Sequence, residues 1–522
     1  MSAKLRYFQL YLQTRWQLVV VFVSMLLAIW IITQEHGAIN SDGILYVDTA
    51  RLIFNGQWQA AFARYNWPFY SVLIAVVKSL TGLGFQDSGH FLAVIFFGGT
   101  IYGLITLIKE VGGGFEESIS GVFLLFSSNY LLGDVVPMVV RDHGFWAGFI
   151  WSLVFFIRFY RKKNIRDAAA WLLISSIMTL FRIEGALYLI LLPFSIFFNK
   201  DFHKPQQTLQ YLKIALLEGI VLLAAWAILG FVVDTYGFSR VGELISRPLL
   251  VYSQMISGLA PKLHILSNDI LGSEMNGYAY FVLIIALLIT PLIKALFSAG
   301  YAQLLLAVLH AKYRRKGSRL SIPIPVAAAV IVICMLYACG MALTAFAVST
   351  RYLSPVAFIV ILYASFSLGT WVNNNKNNVC TNKFENYLYK GLIAIVTLQF
   401  IAIIFPKPLS AFPEKLAAEW LVENVSENKN IYYSSRRIKY YKDGDSADRT
   451  MDNWDVVKDT LQSKKLCKLD FVVVGASGED QVRKEFINSL FDTKPTKSFK
   501  SKHKTVYIYE VSATYKNKVC QG

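Results

Sequence analysis

Eleven stretches of about twenty apolar residues run through this chain, at 18–33, 90–108, 118–136, 144–160, 167–181, 185–199, 213–234, 277–297, 323–346, 353–371 and 388–405. About 20 such residues cross the hydrocarbon of a bilayer as a helix. Only a helix or a closed barrel can bury its backbone polar groups there. The pattern therefore predicts an α-helical polytopic membrane protein of about eleven transmembrane helices. The first stretch has no small-residue cleavage site behind it and reads as a retained anchor. Of the 522 residues, 55% are apolar, which fits a chain mostly in lipid.

The net charge of +17 has a membrane explanation. Basic residues gather near the N-terminus (Lys4, Arg6, Arg15) and in the loops "RKKNIR" (161–166) and "KYRRKGSR" (312–319), the positions expected to face the cytoplasm and anionic lipid. No motif for nucleic-acid binding accompanies them. Counting spans tests the arrangement. If "WPFYSVLIAVVKSLTG" (67–82) also crossed, 161–166 would lie outside. That stretch opens on Trp67-Pro68 and carries Lys78 in its middle, so it is expected to lie on the outer face. Four spans then precede Arg161, four lead to Lys312, and three follow, with 277–297 as a span and 298–310 interfacial. This topology puts one set of polar residues outside: Asp42, Asp48, Asp134, Arg141, Asp142, Arg182, Glu184, Arg351 and Tyr352.

Composition changes near Pro406. Residues 406–522 hold 16 of the 34 acidic residues, too many for lipid. Helix-like and strand-like segments alternate there, among them "NIYYSS", "DFVVVGAS" and "KTVYIYEVS", and predict a small extracytoplasmic α/β domain. The expected division is 1–405 as a membrane domain, with a first outer loop at 35–88, and 406–522 as a soluble domain. No glycine-rich phosphate loop or nucleophile arrangement marks the soluble part, which points to substrate binding or bracing there. Cys334 and Cys339 sit in one apolar span, Cys380 lies in a polar loop, and Cys467 and Cys520 would suit a disulfide in an oxidising compartment. No cysteine spacing suggests zinc.

After the first span the chain reads Asp42-x3-Tyr46-x3-Ala50-x5-Gly56, then Trp67-Pro68. This resembles the first outer loop of the GT-C glycosyltransferases, the superfamily of protein O-mannosyltransferases and the aminoarabinose transferase that modifies lipid A. In order, "VVRDHGFW", "FRIEG" and "STRYLSP" are similar to that family's second acidic loop and its arginine-containing outer motifs. The resemblance implies a catalytic or donor-site carboxylate at Asp42, a second acid at Asp142, and a polyprenyl-phosphate sugar donor. The Asp-x-Asp and Trp-Trp-Asp signatures of the oligosaccharyltransferase branch are missing. Asp142 stands alone in its loop, and Asn453-Trp454-Asp455 is a different triplet. This argues against transfer to asparagine and leaves a divalent metal cofactor open.

The chemistry assigns roles. A polyprenyl phosphate leaves readily, whereas an acceptor hydroxyl needs a base, so Asp42 is the candidate base. Asn40 or Ser41 is placed to cap the helix that follows, and Tyr46 shares its face with Asp42. Asp48 falls roughly 240° round that helix and points elsewhere. The departing phosphate calls for a guanidinium: Arg351 first, Arg182 second. Arg182 and Glu184, two apart, would face nearly opposite sides of a helix. Tyr352, Glu184, Lys78, Arg141 and His143 complete the expected substrate-binding set. Each has a structural reading as well. Asp42 would cap a helix, Arg141 and Asp142 would pair, Arg351 would anchor at the interface with Tyr352, and Lys78 would snorkel. His36 and His143, in separate loops, form only a thin metal pattern.

The function expected is a glycosyltransferase acting on a lipid, glycan or protein hydroxyl at the outer face of a bacterial inner membrane, with the bilayer and a lipid-linked donor as partners and no nucleic acid. The alternatives are a multi-pass secondary transporter and a non-catalytic scaffold. A transporter would concentrate ionisable groups at mid-membrane and show internal repeats.

Overall fold

The computed structural model describes residues 3–200, 203–236, 253, 255–313, 320–377, 383–405, 408, 412–444, 453–462, 468–477, 481–491, 494–501 and 504–511. Cys380, Cys467 and Cys520, with 237–252 and 254 of the loop 235–276 and 314–319 of the loop 312–319, lie outside the described residues.

Among the described residues up to 236 there are ten α-helices: α1 (Ala3–Thr33), α2 (Ser41–Phe54), α3 (Trp58–Arg64), α4 (Phe69–Thr81), α5 (Phe85–Glu110), α6 (Phe115–Phe126), α7 (Asp142–Lys162), α8 (Ile165–Phe181), α9 (Gly185–Leu191) and α10 (Lys204–Tyr236). Further helices follow at Ala279–Phe297, Tyr301–Tyr313, Ile324–Ala345, Ser354–Lys376 and Lys383–Ile404. Among the described residues six helices are long and apolar enough to cross a membrane: Arg15–Thr33, Phe85–Glu110, Asn276–Phe297, Ile324–Ala345, Thr350–Lys376 and Lys383–Ile404. The chain is a multi-pass membrane protein.

Several stretches expected as single spans are divided. The stretch 118–136 breaks into α6 and a π-helical turn, Asn129–Val135, where Ser128 Oγ accepts from the Leu131 amide. The stretch 185–199 becomes α9 and a 3-10 helix, Leu192–Phe198, with Pro193 at its start. Proline there removes an amide donor and favours the tighter turn. The segment 67–82 forms α4, 13 residues long. That is roughly 20 Å of rise, short of the ~30 Å hydrocarbon core. Gly300, at φ +120°, separates Ala279–Phe297 from Tyr301–Tyr313.

The bundle packs closely where side chains are small. Gly144 and Gly148 of α7 face Phe181 and Met178 of α8, and a Cβ at Gly144 would fall 2.2 Å from the Phe181 ring. Small residues at such crossings let helices approach without the hydrophobic drive available in water. The Trp146 and Phe149 rings then meet Phe358 at 5.9 and 6.3 Å.

After residue 412 the chain forms a four-stranded sheet in the order β1-β2-β4-β3, from β1 (Ile431–Tyr433), β2 (Phe471–Ser477), β3 (Lys497–Lys500) and β4 (Lys504–Glu510). β1 and β2 are parallel, and β4 is antiparallel to both β2 and β3, with Val473 opposite Ile508. Val473, Val506 and Ile508 pack with Ala417, Leu421 and Ile438 from helices Pro413–Asn424 and Arg436–Asp443. Val472, Val474 and Tyr509 face the other way, onto Val457, Leu461 and Ile487. Helices on both faces explain why β2 reads as a continuous apolar run.

Candidate functional site

Asp42 lies in the first turn of α2, where a carboxylate faces the exposed amides of the helix start. Asn40 occupies the cap position in an extended conformation, yet its side chain does not cap the helix. Asn40 Oδ1 instead accepts the Val139 amide at 3.0 Å and so ties the Asp42 loop to the segment before α7. This corrects the capping expected for Asn40.

Arg351 arrives from far along the chain on a 3-10 turn, Thr350–Leu353, where its own amide donates to Ser349 Oγ. Its Nη2 donates to Asp42 Oδ2 at 2.7 Å, and its Nη1 stands 3.7 Å from Asp142 Oδ2. Lys294 donates to the Val348 carbonyl at 2.6 Å and steadies the approach to this turn. Asp142, the first residue of α7, is buried and bonds Arg182 on its other side. Arg182 in turn donates to Glu184 Oε1 at 2.7 Å.

The helical spacing assumed for Arg182 and Glu184 does not hold. α8 ends at Phe181, and Arg182 is extended at φ −146°, ψ 127°. The chain turns sharply there because Gly185 sits against the backbone of Thr179, where a Cβ would fall 2.8 Å from the Thr179 Cα. Both side chains then point inward together. The result is a row of alternating charge: Asp42, Arg351, Asp142, Arg182, Glu184. Side-chain exposure falls along it from 44% at Asp42 and 27% at Arg351 to 2% at Arg182, so only the first pair is open to a ligand. Arg182, expected as a second phosphate ligand, is enclosed, its guanidinium 4.7 Å from the Tyr352 ring centre and 5.2 Å from that of Phe145.

The remaining expected residues lie around or away from this row. Tyr46 is buried, edge-on to Tyr65 and Tyr70 at 5.4 Å each. Arg141 donates to the Tyr65 hydroxyl at 2.6 Å and does not pair with its neighbour Asp142. His143 is fully buried, its Nε2 3.1 Å from the Met138 carbonyl. Lys78 donates to the Gly82 carbonyl at the end of its own helix, 3.1 Å away, and the structure does not bring it to the Asp42 row. Asp48 is buried 3.6 Å from both Arg51 and Arg64. Among the described residues no group of three or more His, Cys, Asp or Glu side chains is arranged to hold a metal ion.

Arg351 lines a cavity of about 550 Å³, within the usual range for small-ligand sites. Tyr130 and Asp134, from the π-helical turn, form one wall, and Lys415, Arg437 and Lys504 line another. These last three, with Glu414 between them, escaped the sequence reading. No motif marks them, and only the sheet brings residues 414, 437 and 504 together. Glu414 accepts from Lys504 at 2.7 Å, from Arg437 at 2.9 Å, and from Ser435. Burial pushes its carboxyl up, but the two cations outweigh burial and hold it below the usual range. The same helices grip the Asp42 loop: the Tyr441 hydroxyl accepts the Ile39 amide at 2.8 Å, and Lys415 donates to the His36 carbonyl.

The sequence matches no family model and no curated protein. The fold is similar to two crystal structures of ArnT from Cupriavidus metallidurans. The apo structure aligns at 12% identity and a TM-score of 0.41, over 95% of this chain and 98% of that one. The structure bound to undecaprenyl phosphate aligns at 11% identity and a TM-score of 0.40, over the same shares. At these values the likeness is one of chain outline, and activity has to be argued from the residues of the site.

Proposed function

We propose that this chain is an integral-membrane glycosyltransferase that moves a sugar from a polyprenyl-phosphate donor to a hydroxyl on a lipid, glycan or protein acceptor at the outer face of a bacterial inner membrane. The observation that carries the reading is the meeting of Asp42 with Arg351, 2.7 Å apart, where Arg351 lines an open cavity. A carboxylate and a guanidinium exposed side by side supply the two services that sugar transfer from a phosphate needs.

In this reading the guanidinium of Arg351 binds the donor phosphate by charge-assisted hydrogen bonds. Asp42 accepts the proton of the acceptor hydroxyl. The acceptor oxygen forms a bond to the anomeric carbon as the bond from that carbon to the phosphate oxygen breaks. The electron pair leaves with the phosphate, whose added charge falls to Arg351. Asp142, Arg182 and Glu184 hold Arg351 from behind. Donors for a metal are not assembled among the described residues, and no step here uses one.

The transporter reading has less support, because the charged row sits at the starts of α2, α7 and Ser354–Lys376 and at the end of α8 rather than at helix centres. Mass spectrometry of envelope glycolipids, glycans and glycoproteins from cells with the gene, without it, and with Asp42→Asn tests the proposal. A sugar present only with the wild-type gene supports it. Identical profiles from all three would overturn it.

A further inference from the structure

Arg351 faces two anions, and a donor phosphate would be a third. Its Nη1 side is turned to Asp142, which is buried, bonded to Arg182 and unable to leave. Its Nη2 bonds Asp42, the half-exposed partner. Only the Asp42 side can therefore be vacated. A phosphate taking Arg351 by a fork on its open side uses Nη2, the nitrogen that Asp42 now occupies. Two anions on the same edge would also stand within roughly 4 Å of each other and repel.

We infer that Arg351 is shared between base and donor, so that donor phosphate binding and the Asp42–Arg351 ion pair exclude one another. The inference rests on the donor role proposed for Arg351 and adds an order to it. With the pair formed, Asp42 Oδ2 is committed to the guanidinium rather than to a hydroxyl. When the phosphate takes Arg351, Asp42 is released beside the anomeric carbon with its lone pairs free. The base is exposed only once there is a sugar to transfer, so donor binding precedes productive acceptor binding. Three features fit this order. Exposure is graded along the charge row, with the mobile pair at the open end. Asp142, Arg182 and Glu184 keep the back of Arg351 fixed while its front changes partner. The row holds three carboxylates against two guanidinium groups, so it has no surplus cation to receive a phosphate without releasing an acid.

The test uses the full-length chain in nanodiscs and undecaprenyl phosphate as the probe, with binding read by native mass spectrometry and by thermal shift. Asp42→Asn keeps the shape and removes the competing charge. It is expected to bind the probe roughly two- to tenfold tighter than wild type, the scale of a partly exposed ion pair. Asp42→Ser, which removes the charge in a smaller side chain, should rank the same way if the Asn variant folds poorly. Arg351→Ala should lose most of the binding. Tighter binding by both Asp42 variants supports the exclusion, because a merely structural role for Asp42 would leave affinity unchanged or lower it. Equal or weaker binding by these variants, with Arg351→Ala still defective, overturns the exclusion and leaves the donor site standing. Absence of binding by wild type and the Asp42 variants alike overturns both.

Discussion

The Arg351 guanidinium bonds the Asp42 carboxylate at 2.7 Å although 309 residues separate them in the chain. If this pair is the reactive centre, its two members should fail differently. Asp42→Asn should lower turnover by ~10²–10⁴, about 3–5 kcal/mol of barrier, while the protein still inserts and folds. Turnover measured with purified donor at matched protein level checks this; near-normal turnover would remove Asp42 as base.

Arg351→Ala should weaken donor binding and the chemical step together, since the phosphate is charged before transfer and more so on leaving. Arg351→Lys should restore only part, because ammonium keeps the charge and loses the fork. The comparison needs donor affinity and turnover for the three proteins. Full rescue by lysine would show that charge alone matters.

Arg182→Ala removes the cation from between two buried carboxylates. Leaving Glu184 without its ion-pair partner, and Asp142 with only the longer contact to Arg351, should destabilise the protein by about 3–5 kcal/mol, read as a lowered unfolding temperature of the purified chain. An unchanged unfolding temperature would mean that the row is not structurally coupled.

Gly185→Ala tests the turn that aims Arg182 and Glu184 inward. Its Cβ would meet the Thr179 backbone at 2.8 Å, and backbone cannot swing aside as a flexible side chain can. Overpacking of about 1–3 kcal/mol is expected, measured as lost thermal stability. Wild-type stability would show that the α8–α9 junction can relax.

The Glu414 cluster should respond to acid. The folded carboxyl is more acidic than its ordinary value of 4.5, so its stabilising effect is present above that value. The effect is lost as the pH falls through the lower folded value. Protection against hydrogen exchange across 412–444, taken relative to the intrinsic exchange rate at each pH, should fall as the pH drops below 4.5, and Glu414→Gln should remove that step. A pH-insensitive wild type would contradict the assignment.

Much of this was legible because membrane chains announce their helices. Asp42, Asp142, Arg182, Glu184 and Arg351 could be grouped from span order and the side of the membrane assigned to each. Their pairing could not, since contact across 309 residues depends on how helices close on one another. The Arg182–Glu184 geometry was misread because helical spacing was carried past Phe181, where the chain is extended. The break in 118–136 was hidden in a run that stays mostly apolar, the signal being only Ser127, Ser128 and Asn129. Strand β3 reads "KSFK" and is mostly exposed at the sheet edge. Edge strands carry charge to discourage stray pairing, and that charge erases the apolar alternation by which strands are read.

The first and last of the long membrane helices are joined: the Trp30 indole donates to the Ile404 carbonyl at 3.0 Å. Such long-range contacts can form only after the later partner has been synthesised. The loop that presents Asp42 leaves the ribosome early, yet Arg351, Lys415 and Tyr441, which hold the acid or its loop, follow hundreds of residues later. A nascent chain halted at residue 405 would own all six long apolar helices of the described residues and still lack two of the grips on its Asp42 loop. The hold on the Asp42 loop is thus complete only once residue 441 has been synthesised.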